Sequence, residues 1–102
     1  MTIEVLPRNG EPSGKLADVE LQFREEDGPL EGLKLTGFAV WRGKPGRGPV
    51  VTFPARTYTL AGKRRSFVLL RPAAHARHFG EPEGRLRDSI VAAYESCAAK
   101  AA

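Results

Sequence analysis

The chain has 102 residues, 41% of them apolar and 27% charged, a balance that fits one folded domain and excludes an intrinsically disordered chain. No apolar run approaches the roughly 18 residues that cross a bilayer, and MTIEVLPRNGEP has no basic leader followed by an apolar stretch, so a cytoplasmic protein with no membrane partner is expected. The net charge of +4 is segregated: residues 1–41 carry eight acids against four bases, whereas residues 42–71 carry Arg42, Lys44, Arg47, Arg56, Lys63, Arg64, Arg65 and Arg71 and no acid at all.

A first short strand is predicted from Thr2 to Leu6, and Asn9-Gly10 and Pro12 predict a turn after it. From Ala17 to Phe23 the residues alternate, with Ala17, Val19, Leu21 and Phe23 on one face and Asp18, Glu20 and Gln22 on the other. This is the period of a half-buried strand. REEDGPLEG supplies Asp27-Gly28-Pro29 and Gly32, residues that tolerate or impose turn dihedrals. In LKLTGFAVW, Leu33 and Leu35 are expected inward and Lys34 and Thr36 outward. Beyond Gly37 both faces are apolar, so Gly37 marks either a bulge or the point from which both sides are covered.

RGKPGRGP holds three glycines and two prolines in eight residues and leads into the strand VVTFPAR, which predicts a hairpin with a basic tip. Pro54 has no amide hydrogen and belongs at the end of that strand or on an edge. A second hairpin follows in RTYTLAGKRRSFVLLRP, with Ala61-Gly62 turning the chain, Ser66 to Leu70 returning, and a basic tip again. After Pro72 the spacing becomes helical: Leu86, Ile90, Ala93, Tyr94 and Cys97 line one side of a helix from about Gly84 to Ala98. Glu81 and Glu83 precede it, where negative charge suits a helix N-terminus, and the AAKAA tail is expected to fray. The expected fold is α+β, a small, mainly antiparallel sheet of about five strands with a C-terminal helix.

The string GFAVWRGKPGRGPVVTFPAR, followed by a hairpin, a strand closing on Arg71-Pro72 and a helix ending in IVAAY, resembles the SpoVG family of bacterial regulators in order and spacing. In that comparison the Pro of the family motif falls on Pro54, its following basic position on Arg56, the closing Pro on Pro72 and the helix on Leu86 to Tyr94. The resemblance implies a small α+β domain that dimerises through strands and its helical region. It also implies a DNA- and RNA-binding regulator with no cofactor and no catalysis. Two departures, the basic AGKRRS in place of an acidic turn and the enlarged GKPGRG tip, add positive charge.

A one-signed stretch of this kind favours a polyanionic partner. Arg42, Lys44 and Arg47 on one hairpin, with Arg56, Lys63, Arg64 and Arg65 on the next, supply cations for phosphates and candidates for base contacts. Trp41 and Phe53 are expected to pack as strand aromatics, and Tyr58, among Thr57, Thr59 and Arg56, is the candidate to stack on bases. His75 and His78 lack the ligand set of a zinc site and read as ordinary connector residues. GKPGRG lacks the Lys-Ser/Thr and following helix of a phosphate loop, and no serine sits in a nucleophile elbow. Three adjacent acids, Glu25 to Asp27, read as a solvated turn or an arm for a partner's basic hairpin. Cys97, the only cysteine, excludes an intramolecular disulfide.

These features point to a homodimeric nucleic-acid-binding protein with no metal, no cofactor and no small-molecule substrate. A small domain gains burial by self-association. The alternative is a non-catalytic protein-interaction or scaffolding module. A nuclease using His75, His78 and nearby acids is a third reading, because nucleases also need basic surfaces.

Overall fold

The computed structural model of the protein describes residues 1–8, 14–73 and 81–101. The alternation in LADVELQ places β2 (Lys15–Gln22) between two antiparallel neighbours, β1 (Thr2–Pro7) and β3 (Lys34–Trp41). β4 (Val50–Thr52) pairs with β3, completing an antiparallel sheet in the order β1-β2-β3-β4. Ala17, Val19 and Leu21 of β2 are buried together with Phe38 and Val40 of β3 and Val51 of β4.

The C-terminal helix α1 (Glu81–Ala101) packs against β1 and β4. It drives Ile90 fully into this cluster, with Leu86, Val91 and Tyr94 half-buried around it. Burying an aliphatic or aromatic side chain contributes about 1.5–3 kcal/mol, so the apolar stripe fixes where the helix lies. The fold is therefore α+β and mainly antiparallel, as the patterning predicts.

The details differ from the sequence reading in instructive places. The helix begins at Glu81, three residues before the expected Gly84, and continues through the Ala-rich tail to Ala101. Glu81 and Glu83 thus lie within its first turn. Leu33 is exposed, because it falls outside the ladder in the turn that closes it, where its carbonyl accepts the Phe23 N–H at 2.9 Å. The expected turn at Asn9-Gly10 and Pro12, and the pair His75 and His78, fall outside the described residues.

The largest difference is that, among the described residues, six strands form two sheets where about five strands in one were expected. Pro54 is buried and ends β4 after Thr52, and the chain then forms a separate two-stranded sheet of β5 (Ala55–Leu60) and β6 (Lys63–Val68). Gly37 is part of a bulge: between the pairs Val19–Phe38 and Leu21–Leu35, β3 has two residues, Thr36 and Gly37, where β2 has one, Glu20. Its φ is +103°, a backbone state that glycine adopts without steric cost.

Candidate nucleic-acid interface

The β5–β6 hairpin turns at Ala61-Gly62, both at positive φ (54° and 77°), as a two-residue type I′ hairpin turn requires. The turn at Ala61-Gly62 is as expected, but the basic tip is not: Lys63, Arg64 and Arg65 do not belong to it. The tip is Ala61-Gly62, and the three cations are strand residues of β6, which starts at Lys63 and ends at Val68 where Ser66 to Leu70 was expected.

Strand geometry then sorts them by face. Arg56 lies opposite Phe67, Tyr58 opposite Arg65 and Leu60 opposite Lys63. Because cross-strand partners share a face and neighbours along a strand alternate, one face of the ribbon carries Arg56, Tyr58, Leu60, Lys63, Arg65 and Phe67. The other face carries Thr57, Thr59, Arg64 and Ser66, with Ala55 and Val68 at the base.

On the first face cations and apolar groups interleave. Tyr58 and Phe67 are diagonal neighbours whose ring centroids are 5.8 Å apart at an interplanar angle of 59°. Tyr58 is 42%, Phe67 44% and Leu60 57% exposed, so this face is open to a ligand. The ribbon is tied to the body at its base, where the Leu69 N–H donates to the Pro54 carbonyl at 2.8 Å and Leu70 packs on the core. Between the hairpin base and α1 lies a cleft of about 650 Å³, lined among others by Phe53, Phe67, Arg71, Glu83 and Arg87.

Arg42, Lys44 and Arg47 occupy the connection between β3 and β4, whose Lys44–Arg47 turn is closed by the Arg47 N–H donating to the Lys44 carbonyl at 2.9 Å. Pro45 and Gly46, the latter at φ +83°, form the centre of that turn. Only glycine fits at position 43, since a Cβ there would stand 2.2 Å from the Gly48 carbonyl oxygen. This basic loop enters β4 at Val50 and the basic ribbon leaves it beyond Pro54, so the two sets lie at opposite ends of one short strand. They are two patches, each with its own geometry.

The electrostatics separate the two halves of the chain more sharply than the sequence does. Asp18 is bridged by Lys15 and by Arg8, each at 2.7 Å, and Lys34 reaches Glu20 at 3.4 Å. The Lys15 ammonium, and after it the Arg8 guanidinium, hold the Asp18 carboxyl below the usual carboxylate range. In the short 3-10 segment Glu25–Leu30, Asp27 accepts the Arg24 N–H at 2.6 Å, and the N-terminal ammonium pairs with Glu26 and Asp27 at 2.5 and 2.9 Å. Two acids of the EED turn are thus engaged within the chain. By contrast, among the described residues no ion pair involves Arg42, Lys44, Arg47, Arg56, Lys63, Arg64, Arg65 or Arg71.

Phe53 and Trp41 are used internally. Phe53 packs edge-on to Phe38 at 5.2 Å and lies under the Arg87 guanidinium at 5.2 Å. Trp41 is half-buried, donates its indole N–H to Thr52 Oγ1 at 2.8 Å and has the Lys15 ammonium 5.6 Å from its ring. Phe67 is the residue that sequence reasoning missed. Resuming the strand directly after the expected Ala61-Gly62 turn would have found it, because that register carries Tyr58 and Phe67 to the same face.

No family model, no curated protein and no solved structure matches this chain. Among the described residues no helix is long and apolar enough to cross a membrane.

Proposed function

We propose that this chain is a SpoVG-like regulatory protein that binds DNA or RNA through its basic hairpins, acting in the cytoplasm as a homodimer and by occupancy, without cofactor or catalysis. The observation that carries this reading is the run of eight cations from Arg42 to Arg71, which meets no acid in the sequence and no ion-pair partner among the described residues. Unneutralised guanidinium and ammonium groups repel one another, and phosphate oxygens relieve that repulsion while releasing counterions. Arg42, Lys44 and Arg47 offer phosphate contacts on a loop. Arg56, Lys63, Arg64 and Arg65, with Tyr58 among them, offer contacts on a ribbon.

The test is binding of the purified protein to labelled duplex DNA, single-stranded DNA and RNA at low salt, with light scattering to give its mass. Binding to at least one ligand by a dimer is the expected result. A protein-interaction module is the competing reading, favoured by the exposed Leu60, Val68 and Leu69 on and beside the hairpin. Binding to none of the three ligands at low salt would leave that reading in place of the first.

A further inference from the structure

We infer that the ligand of the β5–β6 ribbon is single-stranded, with unstacked bases laid on the Tyr58–Phe67 pair and the backbone held by Arg56, Lys63 and Arg65. The inference rests on the nucleic-acid reading above and names the form of polynucleotide that the site takes. A paired duplex keeps its base faces against each other, so a duplex ligand would use the cations and leave the rings idle. A single strand exposes a π-face at every base, and binding proteins for it combine a cationic track with aromatic platforms.

The ribbon has both parts on one face. The two rings stand 5.8 Å apart and are each more than two-fifths exposed, with Arg56 directly opposite Phe67 and Arg65 directly opposite Tyr58. Each ring therefore has a guanidinium as its cross-strand neighbour, close enough for one nucleotide to meet a ring with its base and a cation with its phosphate. Lys63, opposite Leu60, extends the cationic side toward the turn.

At the other end the platform opens into the cleft beside α1, because Phe67 lines both. Arg71 and Arg87 stand on the walls of that cleft, so a strand running from the turn toward the body passes from the rings to two further guanidinium groups. Arg64, on the opposite face with Thr57, Thr59 and Ser66, lies off this path.

The test compares oligothymidylate, oligouridylate and a duplex of matching length at one low salt concentration. The proteins are the wild type, a Tyr58→Leu/Phe67→Leu variant that keeps apolar bulk without π-faces, and a Tyr58→Phe variant that keeps the ring. Circular dichroism establishes that each variant folds. The expected result is tighter binding of the single strands than of the duplex, a loss of about tenfold or more on single strands in the leucine variant, unchanged duplex binding, and near wild-type behaviour in Tyr58→Phe. The two single strands distinguish DNA from RNA as the source. Duplex preference, or full single-strand binding by the leucine variant, overturns the stacking inference while the nucleic-acid reading stands. Binding of none of the three ligands by the wild type overturns both.

Discussion

Gly37 and Pro54 meet where the two sheets part: a Cβ on Gly37 would stand 2.9 Å from the Pro54 Cβ. Pro54 stops β4 for want of an N–H, and the bulge at Gly37 leaves room for its ring. The contact sets the point at which the chain leaves the four-stranded sheet to build the basic ribbon. Replacing Gly37 by Ala brings both the positive φ and the clash into play, and a loss of about 1–3 kcal/mol in urea unfolding is expected. A Gly37→Ala protein of wild-type stability would contradict this packing.

Ala61 is strained in the opposite sense. It holds φ +54° at the first position of the ribbon turn, where Asn or Gly is the favoured residue. Ala61→Gly or Ala61→Asn should stabilise the hairpin by up to about 1 kcal/mol. Hydrogen exchange is the appropriate measurement, because the gain belongs to the β5 and β6 amides, while those of β2 and β3 should change little.

Ile90 of α1 is fully buried. Truncation of such a side chain typically costs about 2–5 kcal/mol, so Ile90→Ala should lower the unfolding midpoint markedly, whereas Asp88→Ala on the exposed side should not. Equal effects of the two would mean that the helix packs by another face.

Asp18 gives the fold a defined acid response. Its carboxyl titrates below its ordinary range because Lys15, and after it Arg8, favour the charged form. A depressed carboxylate contributes stability above its unfolded pKa and loses it as pH falls through the folded one. Asp18→Asn should therefore destabilise the protein near neutral pH and make stability fall less between neutral pH and about pH 3. Identical pH profiles for the two proteins would remove the triad from the account of stability.

How much of this was legible in the sequence depends on how local the signal is. The alternation from Ala17 to Leu21 and the stripe of Leu86, Ile90 and Tyr94 each arise within one element, and they place the core without help from the rest of the chain. Tyr58 stands exposed while Trp41 and Phe53 pack, as expected from their neighbours. The separation of the second sheet was not legible, because Pro54 acts there together with the Gly37 bulge, seventeen positions away. The faces of Lys63, Arg64 and Arg65 were missed for a subtler reason. Read as part of a long tip, they have no face; read as strand residues after a two-residue turn, they divide between two.

The salt dependence of binding reaches the nucleic-acid reading most directly. For a phosphate-contacting ribbon, the logarithm of the association constant falls linearly with the logarithm of salt concentration, and each phosphate contact contributes about 0.7–0.9 to the slope. A variant with Ala at Lys63, Arg64 and Arg65 should bind more weakly and lose about two units of slope. A slope near zero in the wild type, or one that the three substitutions leave unchanged, would contradict binding through this hairpin.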